Sequence, residues 1–153
     1  MQLGKKQGGF TLIELILVII ILGVLAIVAT PKLINLQRDA RLTVLKSVGE
    51  QMRSAAQIAR TKALVEGKAD GLLRNVKIDG RFLRFDYGWI QSASIMFVIN
   101  IPEGELHSGL DTGGYYAWFG SEFFFHETHK CYVKYTTTST PEPPIISYVT
   151  DEC

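Results

Sequence analysis

The chain has 153 residues, enough for one compact domain plus an appendage. Sixteen Lys and Arg stand against 15 Asp and Glu. That balance argues against nucleic acid as the main partner, while leaving room for a local basic patch. The two cysteines, Cys131 and Cys153, form no C-x-x-C pair, which excludes a redox motif or a zinc knuckle of that kind.

The chain opens on a basic stub, Lys5 and Lys6, that ends in Gly8-Gly9. From Phe10 to Ala29 every residue is apolar or small except Thr11 and Glu14. As a helix this run is about 30 Å long, the thickness of a bilayer's hydrocarbon core. An acid in a spanning helix costs about 2.5–3.5 kcal/mol at mid-bilayer and less near an edge, so Glu14 should have a partner and a task.

Two ordinary readings compete for this run. A secretory signal has a shorter core and ends at an A-x-A-like site, which Ile27-Val28-Ala29 imitates. The run here is longer, contains Glu14, and leads into further helical patterning rather than a loop. A plain membrane anchor meets a different difficulty. Lys32, Arg38, Arg41 and Lys46 follow the run closely, so Lys and Arg alone do not favour an N-inside topology.

Beyond the run, Leu33, Leu36, Ala40, Val44, Val48, Met52, Ala55 and Ala59 recur at spacings of three and four. This stripe predicts one helix from Phe10 to Glu66, stopped at Gly67 and about 85 Å long. The rear part, residues 30–66, should pack its stripe on a C-terminal domain. The front part, residues 10–29, should project as a hydrophobic stalk that needs lipid or copies of itself. Gly23 and Pro31 interrupt the stalk. They are either membrane-helix irregularities or a weak link that can stretch.

From Leu72 onward, short aromatic and β-branched runs alternate with turn formers. Asn75–Ile78 and Phe82–Phe85, joined by Asp79-Gly80, suit a hairpin. Tyr115–Phe119, Phe123–His126, Cys131–Thr138 and Ile145–Val149 are further strands. Ala93–Asn100 fits a short helix or a buried strand equally. The expected fold class is α+β, with one antiparallel sheet packed on the rear of the long helix and a head over residues 67–153.

Candidate chemistry in the head is thin. His126 and His129 flank Glu127 near Cys131, but on a strand the two imidazoles face opposite sides, and the spacing misses H-E-x-x-H. No metal site and no cofactor are expected. His107 reads as a loop residue. Asp111-Thr112-Gly113-Gly114 reads as a turn with too few oxygen ligands for calcium. Thr136–Thr140 reads as an exposed strand edge, with a glycosylated surface as the alternative. Trp89 and Trp118 could form a sugar platform, though buried aromatics are the default. No phosphate loop or nucleophile elbow is present, and no enzymatic activity is expected. On the trans side of a bacterial membrane Cys131 and Cys153 would form a disulfide enclosing Pro141-Glu142-Pro143-Pro144; two buried free thiols are the other reading.

The first thirty or so residues resemble the type IVa prepilins, through the basic leader, Gly9 before Phe10, Glu14 four residues on, and Pro31 after the apolar run. The resemblance implies that a leader, residues 1–9, is cleaved between Gly9 and Phe10 by an inner-membrane prepilin peptidase, with methylation of the new Phe10 amine. It also implies a type IV pilin fold, an inner-membrane precursor, an assembly platform, and a helical filament built on the stalks. Phe10 and Glu14 would guide assembly, and Gly23 and Pro31 would let the stalk melt locally.

Pro31-Lys32-Leu33-Ile34-Asn35-Leu36-Gln37, Ala63-Leu64-Val65-Glu66-Gly67, Cys131-Tyr132-Val133-Lys134-Tyr135 and Cys153 resemble the mannose-sensitive haemagglutinin (MSHA) pilins. That likeness implies an extracellular filament of a Gram-negative bacterium, serving adhesion and biofilm formation through a carbohydrate or other surface ligand. Gln2-Leu3-Gly4 departs from the usual leader. A pseudopilin of a type II secretion system, a minor pilin and a DNA-uptake pilin share the same N-terminus.

Overall fold

The computed structural model describes residues 10–101, 104, 106–120 and 129–153, with side chains not described at 29–35. One long helix, α1 (Leu12–Val65), is followed by antiparallel sheets, consistent with the α+β type IV pilin fold. The chain divides into two compact units, Met1–Asp39 and Ala40–Cys153.

The second unit is built on the rear of α1. Leu45, Val48, Met52, Ala56, Ala59 and Ala63 are buried along one face. The stripe expected from the sequence is displaced by one residue at two places, because Leu45 and Ala56 are more deeply buried than Val44 and Ala55. Leu36 and Ala40, which the expected stripe included, are exposed. Helix α1 ends through a Schellman arrangement. The Lys68 amide donates to the Ala63 carbonyl at 2.8 Å, and the Gly67 amide to Leu64 at 3.0 Å. Gly67 itself takes φ +64°, which a residue without Cβ adopts freely.

Two sheets, rather than the single one expected, cover this face. The first joins β1 (Arg74–Ile78), β2 (Arg81–Asp86) and β3 (Trp89–Ile90) in that order. Asp79 and Gly80 turn the first hairpin with φ of 47° and 82°, the doubly positive pair that a type I′ turn requires. The short helix α2 (Ser92–Ile95) follows, which settles the ambiguous Ala93–Asn100 stretch in favour of helix at its start.

The second sheet runs β4 (Leu106–Asp111), β5 (Gly114–Phe119), β6 (Tyr132–Thr136) and β7 (Ile145–Val149), with every neighbouring pair antiparallel. Strand β4 was not expected. Its Leu-His-Ser-Gly-Leu-Asp lacks clean alternation, and Gly109 lies beneath the Trp118 ring, where a Cβ would stand 3.5 Å from it. The expected strand Phe123–His126 lies outside the described residues.

Both sheets contribute to one apolar core against α1, through Val76, Leu83, Phe85 and Ile90 on one side and Ala117, Val133 and Tyr135 on the other. Tyr135 is fully buried and donates its hydroxyl to the Ile90 carbonyl at 2.8 Å, joining the two sheets across the core. At Gly49 on α1, Tyr148 of β7 presses so close that an added Cβ would meet Cζ at 2.7 Å and Cε1 at 2.9 Å. The missing Cβ at Gly49 thus makes room for the far end of the Tyr148 ring, which would have to shift to admit a larger residue.

Candidate assembly site at the start of the long helix

Thr11 is the cap on which α1 begins. Its carbonyl accepts the first helical bond, from the Leu15 amide at 3.3 Å. Its hydroxyl accepts from the Glu14 amide at 3.3 Å. Glu14 reaches back in return, and its Oε2 accepts from the Thr11 amide at 3.1 Å and the Thr11 hydroxyl at 3.0 Å. This reciprocal pairing is a capping box, which satisfies amides that a helix start otherwise leaves open. Sequence reasoning placed the Glu14 partner at Phe10 and passed over Thr11. The signal was the Thr-x-x-Glu spacing directly ahead of an apolar run.

Only Oε2 is engaged. Oε1 of Glu14 has no partner among the described residues. Phe10, whose side chain is 83% exposed, lies immediately before the cap. Gly9 and the rest of residues 1–9 lie outside the described residues.

Behind the cap, every large apolar side chain from Leu12 to Val28 is exposed, from 45% at Val18 to 80% at Leu12. A single helix with apolar residues on all sides cannot bury them by itself, and such a surface marks an interaction site. Gly23 lies in open space, where an added Cβ would touch nothing within 4 Å. Helix α1 passes through Gly23 and Pro31 without a break. Among the described residues no helix is long and apolar enough to cross a membrane. The described side chains of the apolar run stop at Val28, before its end at Ala29.

In the head, Cys131 and Cys153 are joined by a disulfide. The Glu152 amide donates to the Lys130 carbonyl at 3.2 Å, and the Arg41 guanidinium donates to the Cys153 carbonyl at 3.4 Å. The last residues are thus tied both to α1 and to the segment entering β6. Trp118 is buried, and the Arg60 guanidinium covers the Trp89 ring at 4.1 Å while its indole donates to Pro141. Trp118 is thus withdrawn from the surface, and Trp89 has one face taken by Arg60.

His107, expected in a loop, is on β4 beside Trp118. Asp111 to Gly114 form the β4–β5 turn, with Asp111 accepting from the Thr112 amide at 2.6 Å. Thr136 ends β6, and Thr137 is tied to Ser92, leaving Thr138 to Thr140 exposed or half-buried. His126 and Glu127 lie outside the described residues, and no metal-binding cluster occurs among those described.

Residues 4–30 match the prokaryotic N-terminal methylation motif. A fimbrial protein of Pseudomonas aeruginosa is 44% identical over 64 residues, 42% of this chain and 39% of that protein. The type IV narrow pilus major component PilA5 of Thermus thermophilus is 40% identical over 58 residues, 38% of this chain and 50% of that protein. The type II secretion system core protein G of Pseudomonas aeruginosa is 43% identical over 42 residues, 28% of this chain and 30% of that protein. The matched stretches thus span half or less of each relative. No solved structure matches. These similarities support a type IV pilin or a pseudopilin.

Proposed function

We propose that this chain is the structural subunit of an MSHA-like type IV pilus, without enzymatic activity, that serves adhesion and biofilm formation. The observation that carries this reading is the uncovered apolar surface on all sides of α1 from Leu12 to Val28, headed by a capped acid. In the precursor that surface sits in the inner membrane of a Gram-negative cell. After a prepilin peptidase cuts between Gly9 and Phe10 and methylates Phe10, the assembly platform transfers it into a homopolymer, where copies of the same helix replace the lipid.

Glu14 then has two tasks on two oxygens. Oε2 holds its own helix start through Thr11, and Oε1 accepts from the Phe10 amine of a neighbouring copy. An unpaired carboxylate in a low-dielectric core costs several kcal/mol, so the pairing selects one register while apolar contacts supply the association. Gly23, which no packing among the described residues requires, and Pro31 let the helix unwind locally on assembly. A filament map with unbroken helix through Ile27 would remove that step.

The likeness to secretion core protein G favours a second reading, a periplasmic pseudopilin. The disulfide-closed C-terminal loop and the aromatic head favour the surface filament instead. The intact mass of the chain recovered from sheared cell surfaces tests the main reading. It should begin at Phe10 and bear one methyl group. A chain that retains residues 1–9, or that starts beyond Ala29 as an ordinary secretory signal requires, would overturn it.

A further inference from the structure

We propose that heads of neighbouring copies join by seating the Pro141-Glu142-Pro143 loop of one on the β1–β2 hairpin of the next. Glu142 meets Lys77 and Arg84 there, and the proline rings stack on Phe82. The contact rests on the filament reading above, which holds the copies close enough for it to form.

The hairpin face is cationic and uncovered. Lys77 is opposite Phe82 and Asn75 is opposite Arg84, on the side turned away from Val76 and Leu83. Arg74 and Arg81 belong to the other side and take no part. Phe82 is 70% exposed, with the Lys77 ammonium 5.9 Å from its ring centroid. Among the described residues neither Lys77 nor Arg84 pairs with a carboxylate. Cations beside an open strand edge guard it against pairing with other chains. An uncovered phenyl ring beside them works against that guard and suits a docking face.

The loop has the opposite charge and is already fixed. Pro141, Glu142 and Pro143 are all exposed, and Glu142 has no cation partner among the described residues. The Trp89 indole donates to the Pro141 carbonyl at 3.1 Å, and the Thr137 amide donates to the Ser92 hydroxyl at 3.2 Å. Prolines with fixed φ, tied down at both ends, lose little freedom on docking. Proline-rich segments bind aromatic surfaces for this reason. A chain cannot satisfy its own hairpin this way. Its loop is held at Trp89, which pairs with Asp86, four residues or about 13 Å along β2 from Phe82. Two different patches that fit each other across copies make a contact that repeats without closing. So few exposed charges bind weakly in solution and count only where the stalks raise the effective concentration.

Disulfide trapping in sheared surface fibres tests the contact. Phe82→Cys with Pro143→Cys should give a ladder of covalent multimers on mild oxidation, and either substitution alone should give none. Glu142→Lys added to that pair should cut the ladder about tenfold, because it sets like charges together. Lys77→Glu with Arg84→Glu should cut it equally, and all three charge changes combined should restore it. Lys130→Glu, at a different ion pair, should leave the ladder unchanged. In chains without added cysteines, fibre yield after shear should follow the same order, with matching thermal melts in detergent. Fibres that give no ladder, or a ladder indifferent to charge reversal, overturn this contact and leave the filament reading standing. A cross-link from the introduced cysteines to a different protein, in place of the ladder, overturns it as well. Absence of fibres from the unmodified strain overturns both.

Discussion

Thr11 donates both its amide and its hydroxyl to one oxygen of Glu14, at 3.1 and 3.0 Å, so the acid is already serving its own helix before it meets any neighbour. Two substitutions separate cap from charge. Glu14→Val removes both, and filaments should be lost while membrane insertion persists. Glu14→Gln keeps an acceptor for Thr11 and removes only the charge, so it should insert normally and also fail to assemble. Counting surface filaments beside membrane-fraction levels checks this. Abundant filaments in the Gln variant would show that the charge is dispensable.

Gly49 and Tyr148 form a steric lock between α1 and β7. Gly49→Leu should destabilise the head by about 1–3 kcal/mol through overpacking, despite leucine's better helix propensity. Tyr148→Ala in the same chain should recover part of that loss, because it vacates the space the leucine needs. Thermal melts of the four proteins of the cycle measure the coupling. Additive effects would mean the two residues do not compete for one volume.

The bond between Cys131 and Cys153 spans a sequence separation of 22 and fastens the end of the chain beside α1. Loop-closure entropy puts its contribution at about 3 kcal/mol. Cys131→Ser with Cys153→Ser should therefore lower the denaturation midpoint of the head markedly while leaving the stalk helix intact by circular dichroism. An unchanged midpoint would mean that the surrounding hydrogen bonds suffice.

Burial raises the Tyr135 phenol far above its ordinary value of 10.0, and raises Tyr115 as well. Below pH 10 both folded and unfolded chains keep these protons, and stability does not depend on them. Above it the unfolded chain releases its phenolic protons while folded Tyr135 holds its own, so stability should fall by about 1.4 kcal/mol per pH unit for that group. Tyr135→Phe should flatten part of this alkaline slope and cost about 1–2 kcal/mol at neutral pH, since the Ile90 carbonyl loses its donor. Urea unfolding at pH 8 and pH 11 measures both; an unaltered slope in the variant would assign the loss to other groups.

Local chemistry was the legible part of this fold. Gly67 announced the helix end, Asp79-Gly80 announced the hairpin, and the spacing of Val48, Met52 and Ala59 located the buried face. Features set by distant partners were not legible. Strand β4 exists because β5 offers it a ladder, and its Gly109 is explained only by the Trp118 ring above it. The two sheets meet through Tyr135 of one reaching Ile90 of the other across 45 positions, a contact no local pattern announces. Leu36 and Ala40 carried the right spacing, but periodicity cannot say where along a helix the partner sheet stops. At the start of α1 the Thr-x-x-Glu spacing of Thr11 and Glu14 carries the capping box in the sequence itself.

The most direct test is immunogold electron microscopy of intact host cells and of their sheared surface fraction, using antibody to residues of the head. Long gold-decorated fibres that vanish in the Glu14→Val strain are the expected result. A chain found only as a lipid-free monomer in the periplasm, with no labelled fibre in either sample, would contradict the account.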